Sequence, residues 1–314
     1  MKPIRLYANP NKVCTSNLVF PQMVKSLKVV GFFLSLVLLL AACSSSSSSE
    51  GVVPPTTYVS GMLSTSTIWG LADSPVAFEG DVEVASGVTL TIEPGVEVRG
   101  NGFDLKVSGT LSATGLWSGK VIFTDTHIVP GGTITNPFSM IIRFSEIRSG
   151  SLYQAGHSGY GSLVLEDSII ENLPYLYIWY PVADTSIRRN IFNSTGGISV
   201  GNDVGNVFIE NNSFMGQVEE SGILGAVQNW ASMGGTSTFV RFNSFLSTDL
   251  IALELAAGYS TALMVADSNY FGTTDTATID SMIFDMNDDS TSNGFITYTP
   301  ILTGRHSNTP LHNP

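Results

Sequence analysis

Four aromatic side chains in this sequence of 314 residues have the type and spacing of a sugar-binding surface. Residues 175–179 read Tyr-Leu-Tyr-Ile-Trp, and successive side chains of a strand point to opposite faces. Tyr175, Tyr177 and Trp179 therefore share one face, which we expect to point outward. Flat aromatic rings can stack on sugar rings and bury a large area at little entropic cost. Together with Trp230 they are the predicted ligand-binding residues.

An acidic turn is the second candidate site, and its chemistry would be metal binding. Asp285, Asn287 and Asp289 offer oxygen atoms, the ligands that calcium prefers. With Asp288 they match part of an EF-hand calcium loop, whose Gly and terminal Glu are missing here. A solvated turn is the alternative. We predict no cofactor, and calcium is the alternative.

Catalytic chemistry has fewer candidates. Arg189 with Asp167, or the loop that carries Glu219 and Glu220, could supply the base and acid of a polysaccharide lyase or glycoside hydrolase. The four histidines lack the spacing of zinc ligands, and the sequence has no nucleophile elbow or phosphate loop. We therefore predict no catalytic residues and keep the enzyme as an alternative.

A sequence repeat must position these side chains. An apolar residue, two spacers, Asn or Ser, one spacer and a second apolar residue occur in this order six times. The polar positions are 23, 22, 22, 31 and 26 residues apart. Such a period is typical of a solenoid. The polar positions are Ser145, Ser168, Asn190, Asn212, Asn243 and Asn269.

The pattern within each repeat indicates strands and a bend. Apolar residues alternate with spacers up to Ile209, and the next inward residue is Phe214, so the chain must bend between them. Asn suits a bend because it tolerates left-handed backbone and its amide can bond to the same side chain one coil away. Short strands in coils of about 22 residues predict an all-β, right-handed parallel β-helix. An internal aromatic file would contain Phe192, Phe214, Phe245 and Phe271.

A column of alternating charge supports this register. Two residues before each polar position, basic and acidic side chains follow one another without a break. Strands stacked about 4.8 Å apart would turn the column into a ladder of opposite charges, which stabilises the register. A catalytic role for the same residues is the alternative. The column contains Arg143, Glu166, Arg188, Glu210, Arg241 and Asp267.

The longest interval between repeats contains an inserted loop. It lies within residues 216–236, and loops that leave a solenoid often form its binding face. One coil after the aromatic strand, Gly197, Ser199 and Gly201 would leave a shallow strip beside the rings. Alternatively, the insert folds over the rings through Trp230 and makes a satellite core.

Residues 1–42 are interpreted as a leader and signal peptide. Two lysines precede an apolar run from Val29 to Leu40, and Met23 suits the start of such a peptide better than Met1. The run ends in Leu-Ala-Ala-Cys, which resembles the lipobox of bacterial lipoproteins. The resemblance implies cleavage before Cys43 and lipid attachment to its sulfur. Ser44 resembles the signal that sorts such proteins to the outer membrane.

The lipidated Cys and a Ser-rich tether are assigned to residues 43–65. With Cys14 removed and Cys43 lipidated, no disulfide is expected. Loss of the leader leaves 9 Lys and Arg against 26 Asp and Glu, a formal charge of −17. This balance argues against binding to nucleic acid or to anionic lipid.

The β-helix is assigned to residues 66–272. Residues 87–95 read Gly-Val-Thr-Leu-Thr-Ile-Glu-Pro-Gly and are followed by Gly-Thr-Leu at 109–111. Together with the Asn-x-Phe repeats, this stretch resembles exported β-helix proteins of the pectin-lyase-like superfamily. That superfamily contains lyases, hydrolases, adhesins and proteins of unknown role, so the resemblance indicates a fold more than an activity.

A short helix and turn over residues 273–303 are interpreted as a C-terminal cap, because a solenoid end needs covering. Residues 304–314 are expected to be a loose tail. We predict a lipoprotein of the outer membrane, attached through Cys43, whose β-helix displays a binding surface for glycans. The alternatives are a polysaccharide-cleaving enzyme on the same scaffold and a purely structural component of the cell envelope.

Overall fold

The computed structural model describes residues 55–153, 159–219 and 222–311. The predicted leader, Cys43 and the first part of the tether lie outside these residues. The described chain is a parallel β-solenoid of about 9 turns, with 46% strand and 3% helix. The predicted all-β solenoid is therefore confirmed.

The described residues contain twenty-four strands, one 3₁₀ helix and one α-helix. The strands are β1 (Thr57–Leu63), β2 (Thr67–Trp69), β3 (Val76–Val84), β4 (Thr89–Ile92), β5 (Glu97–Arg99), β6 (Asp104–Val107), β7 (Thr110–Thr114), β8 (Val121–Pro130), β9 (Phe138–Arg143), β10 (Ser145–Leu152), β11 (Gly161–Glu166), β12 (Ile169–Glu171), β13 (Leu176–Trp179), β14 (Thr185–Arg188), β15 (Ile191–Asn193), β16 (Ile198–Asn202), β17 (Val207–Glu210), β18 (Ser213–Met215), β19 (Val227–Ser232), β20 (Thr238–Arg241), β21 (Ser244–Phe245), β22 (Leu253–Leu255), β23 (Met264–Val265) and β24 (Ile283–Phe284). The 3₁₀ helix spans Leu71–Asp73, and α1 spans Thr276–Asp280.

Three parallel sheets form the sides of the solenoid. Sheet A has the order β1-β3-β5-β8-β10-β12-β15-β18-β21, with β6 paired to β3 and β8. Sheet B has the order β2-β4-β7-β9-β11-β14-β17-β20-β23, and sheet C has the order β13-β16-β19-β22-β24. The first coil starts at Thr57, inside the stretch predicted as tether. Its strand was missed because it is half exposed and lacks a clean apolar alternation.

Stacked phenylalanines fill the interior beside sheet A, as predicted. The rings of Phe192 and Phe214 are 4.9 Å apart at 7°, and those of Phe214 and Phe245 are 5.1 Å apart at 12°. Phe271 continues the file at 5.5 Å from Phe245. All four rings are buried. Aromatic packing of this kind contributes beyond the area that it buries.

The asparagine file lies at the bend between sheets B and A. The Asn190 amide donates to Asn212 Oδ1 at 3.0 Å, and the Asn212 amide donates to Asn243 Oδ1 at 3.0 Å. The Asn243 amide in turn donates to Asn269 Oδ1 at 3.1 Å. Each Oδ1 also accepts the backbone N–H one coil below. The left-handed residue is the one before each polar position, for example Asn211 with φ 57°. Asn is used here for its hydrogen bonds, and not for its backbone freedom.

The charge column has the predicted register. The Cα partners across sheet B are Arg143 with Glu166, Glu166 with Arg188, and Arg188 with Glu210. Arg188 Nε lies 2.9 Å from Glu210, and Arg143 Nε lies 3.2 Å from Glu166. The column therefore has a structural explanation that requires no substrate.

The C-terminal cap contains the predicted helix. Asp275 caps α1 by accepting the Thr278 N–H at 2.9 Å. The cap also adds β24 to sheet C, so the solenoid extends beyond the predicted boundary at 272. No helix among the described residues has both the length and the apolar character that a membrane crossing needs.

Residues 304–311 are not a loose tail. Thr309 is 1% exposed and donates its hydroxyl proton to the Phe242 carbonyl at 2.6 Å. Asn211 donates to Nδ1 of His306 at 2.8 Å, and the His306 ring packs on Phe242. The tail was misjudged because its order comes from polar pairing with the bend, which leaves no periodic pattern in the sequence.

Candidate binding groove

The aromatic strand β13 has the predicted orientation. Leu176 and Ile178 are fully buried, whereas Tyr175, Tyr177 and Trp179 are half-buried on the outer face of sheet C. Alternation along the strand therefore places the three rings together, as the sequence indicates.

The inserted residues shift the register in steps. Ser199 pairs with Gln228, 29 residues later, whereas Val207 pairs with Thr238, 31 residues later. Most of the insert precedes β19 as a loop. One further residue forms a β-bulge, because Gly201 pairs with Ala231 and leaves Trp230 without a partner in the ladder. Bulges turn a side chain away from its regular direction.

The Trp230 ring lies over Gly201. A Cβ atom at Gly201 would be 2.1 Å from Trp230 Cζ2, so the ring requires glycine beneath it. The predicted strip of small residues is therefore not open along its length, because Trp230 covers the Gly201 end. Its Nε1 is buried without a hydrogen-bond acceptor among the described residues.

Trp230 organises the surrounding rings. Its ring stacks on Tyr177 with centroids 5.8 Å apart and planes at 10°. Tyr180 and Tyr259 meet it nearly edge-on at 5.2 and 5.9 Å. Neither tyrosine was predicted from the sequence, because each lies outside the alternating segment. Trp179 packs instead between Tyr160 and Tyr180.

A groove of about 470 Å³ opens beside these rings. Its aromatic lining residues are Tyr175, Tyr177, Trp230, Tyr259 and Phe284. The structure thus brings three of the four predicted ligand-binding residues into one site, and Trp179 does not line it. The volume is within the range of small-molecule sites.

The floor of the groove is a polar file that the sequence analysis did not find. Ser199 donates to Gln228 Oε1 at 2.7 Å, and the Gln228 amide donates to Glu254 Oε1 at 2.8 Å. The backbone N–H groups of Leu224 and Gly225 both donate to Glu254 Oε2 at 2.8 Å. Glu254 is 3% exposed. No Lys, Arg or His of the described residues forms a salt bridge with it.

Two tyrosines near the groove, Tyr177 and Tyr180, are held in the neutral form. Burial raises the pKa of Tyr177, with smaller contributions from neighbouring tyrosines. Burial also raises the pKa of Tyr180, and Asp203 adds to the effect. Their hydroxyl groups therefore remain donors and acceptors of hydrogen bonds. Of the described residues that line the groove, Glu254 is the only Asp, Glu, Lys, Arg or His.

Arg189 and Asp167 are placed at the bend between sheets B and A, outside the groove. Arg189 donates two hydrogen bonds to Asp167, at 2.7 and 2.8 Å, and a third to Glu166 at 3.2 Å. The hydrogen bond to Asp167 raises the pKa of Arg189. Neither residue lines the groove. Glu219 is exposed on the inserted loop, and Glu220 lies outside the described residues.

The acidic turn directs its carboxylates at its own backbone. Asp285 is buried and accepts the N–H groups of Asn287 and Ile296, each at 2.9 Å. Asp289 accepts the Thr291 N–H at 2.8 Å. Within the described residues, no group of three or more His, Cys, Asp or Glu side chains is arranged to hold a metal. The calcium site remains a prediction, while the contacts show a turn-forming role.

Comparison with protein-family models, with curated proteins and with solved structures finds no match for this chain.

Proposed function

We propose that this protein is a glycan-binding module and that the groove on sheet C is its binding site. The observation that supports the proposal most is the pairing of aromatic side walls with a hydrogen-bonding floor. Sugar rings have apolar faces that stack on Tyr177 and Trp230, and hydroxyl groups at their edges that suit Ser199, Gln228 and Glu254.

We further propose that the module is a bacterial lipoprotein attached to the outer membrane through Cys43, and that it belongs to the pectin-lyase-like superfamily. The lipobox resemblance and the Ser-rich stretch support the anchor. The repeats and the solenoid support the superfamily. Substitution Cys43→Ser tests the anchor in the expressing bacterium. We expect the variant to move from the membrane fraction to the soluble fraction; retention with the wild-type share would refute lipidation at this site.

Affinity electrophoresis in gels that contain soluble polysaccharides tests the binding function. We expect Tyr177→Ala to weaken retardation by about tenfold or more, because the ring forms one wall of the groove. Trp117→Ala is the matched control, since Trp117 is 79% exposed and does not line the groove. Trp179→Ala should have a smaller effect than Tyr177→Ala.

Equal retardation of wild type and Tyr177→Ala would refute the groove as the binding site. Product formation from any of these polysaccharides would favour the enzyme instead. In that case Arg189→Ala would show whether the bend between sheets B and A contributes.

A further inference from the structure

We propose that the groove selects neutral glycans and rejects polyuronates, and that Glu254 sets this selectivity. The inference rests on the proposed glycan-binding function and specifies the substrate class of the same site. Among the described residues, the groove contains one carboxylate and no Lys, Arg or His.

The carboxylate is held in a fixed position. Two backbone N–H groups bind Oε2, and the Gln228 amide binds Oε1, so three donors orient the group at the floor. A carboxylate has about four acceptor positions, so the three bonds from described residues leave one for a ligand. A sugar hydroxyl can donate to it. A uronate carboxylate cannot, because both groups only accept.

The hydrogen bonds of the polar file all run in one direction along the file. Ser199 donates to Gln228, and Gln228 donates to Glu254. The Gln228 side chain therefore uses its carbonyl for Ser199 and one amide proton for Glu254. A carboxylate from a uronate would meet Glu254 with no cation of the described lining to offset the charge. Like charges in a partly buried site repel strongly, because little solvent screens them.

The first test compares two polymers of matched length, a neutral β-glucan and a polyuronate, with the full chain in its mature form. We expect the polyuronate to bind at least about tenfold more weakly, both at 0.15 M salt and at 1 M salt. At 1 M salt the screening length falls to about 3 Å, so repulsion by the whole acidic protein is largely removed. Selectivity that remains must come from the groove.

Equal binding of the two polymers at 1 M salt would overturn the selectivity and leave the proposed function intact. Failure of both polymers, and of a wider panel of glycans, would overturn the proposed function and this inference with it. The two failures are thus distinguishable.

The second test adds a cation at the rim. Ala257 is exposed and lines the groove, so Ala257→Lys should fold normally and raise polyuronate affinity by about fivefold or more. Ala72→Lys adds the same charge at an exposed position off the groove and should have no effect. An equal gain in both variants would show that the overall charge sets the preference, and would overturn the role of the groove.

The third test removes the carboxylate. Glu254→Gln should reduce the discrimination by about fivefold or more at 1 M salt, whereas Glu79→Gln changes an exposed acid off the groove and should leave it unchanged. Circular dichroism and thermal melting report whether Glu254→Gln keeps its fold. A folded Glu254→Gln protein with unchanged discrimination would overturn the assignment to Glu254. If the variant does not fold, Ala257→Lys decides, because no gain in polyuronate affinity from a cation at the rim would overturn charge repulsion by Glu254.

Discussion

The asparagine file and the groove belong to the same coils, yet their residues follow opposite patterns. In the asparagine file, successive coils carry the same residue. Each side chain forms a hydrogen bond with its equivalent on the next coil, as Asn190 does with Asn212. Across the groove, one register file carries a different residue on every coil. That file reads Tyr177, Ser199, Gln228, Glu254 and Phe284.

The difference separates the residues that stabilise the solenoid from those of the proposed binding site. Repetition consumes hydrogen-bonding capacity internally, which closes a surface to ligands and fixes the register. Variation along a file, together with a bulge and an inserted loop, leaves an unfilled concave surface with mixed chemistry. We therefore predict that substitutions in the asparagine file lower the free energy of unfolding, whereas substitutions in the groove lower glycan affinity.

The largest effect on stability is expected from Asn212→Leu. The substitution removes the acceptor of the Asn190 N–H and of one Asn190 amide proton, whose other bond is to the Leu165 carbonyl, and it removes the side-chain donor to the Ile187 carbonyl. Each lost partner costs about 1–3 kcal/mol. We expect the free energy of unfolding to fall by about 3 kcal/mol or more, and the melting temperature by roughly 6–12 °C.

Glycan binding by the folded Asn212→Leu protein should be unchanged, and exposed Asn287→Leu serves as the control for both measurements. A parallel loss of binding by folded Asn212→Leu would contradict the separation of the two regions.

The next largest effect is expected from Gly201→Ala, and here binding should suffer most. The added methyl group overlaps the Trp230 ring and forces it away from Tyr177. Overpacking of this kind costs about 1–3 kcal/mol. We expect glycan affinity to fall by about tenfold or more in affinity electrophoresis. Gly304→Ala is the control, because a Cβ atom there meets nothing within 4 Å. Unchanged glycan affinity of Gly201→Ala would show that the position of the Trp230 ring does not contribute to binding.

A smaller effect is expected from reversing one charge of the column. Arg188→Glu places three acids in succession, at 166, 188 and 210, and removes the 2.9 Å ion pair to Glu210. Partly exposed pairs contribute little, so we expect a loss of about 1 kcal/mol in urea unfolding. Arg188→Gln should lose less, and the difference between the two variants should shrink at 1 M salt. A difference that does not depend on salt would mean that packing on Phe208 matters more than charge.

The smallest effect concerns the cap, which belongs to neither region. The hydrogen bond from Tyr298 to Asp280, with some burial, raises the pKa of Tyr298 from its ordinary value of 10.0 to about 12. Because the folded-state pKa is the higher one, this stabilisation is complete below pH 10 and is lost as pH rises through 12. Melting curves of wild type and Tyr298→Phe should therefore converge between pH 10 and 12. A constant difference across this range would exclude the titration of Tyr298.

Several parts of the fold could be predicted because they repeat. The positions of Phe192 and Phe214, or of Arg188 and Glu210, follow from alternation and a constant period alone. The start of the first coil at Thr57 could not be predicted, since a terminal strand is covered on one side and shows little apolar pattern. The docked tail at Thr309 was missed for a related reason, because its contacts depend on backbone groups that the sequence does not display.

The sequence by itself determined the coil, the inward and outward faces, and the residues that stack on their own copies. Local alternation and the period suffice for these, because each coil repeats the geometry of the one before. Only the tertiary structure decided that Ser199, Gln228 and Glu254 meet, and that Trp230 lies over Gly201. Those contacts depend on how the inserted residues are divided between a loop and a bulge, and this division is set by packing across coils.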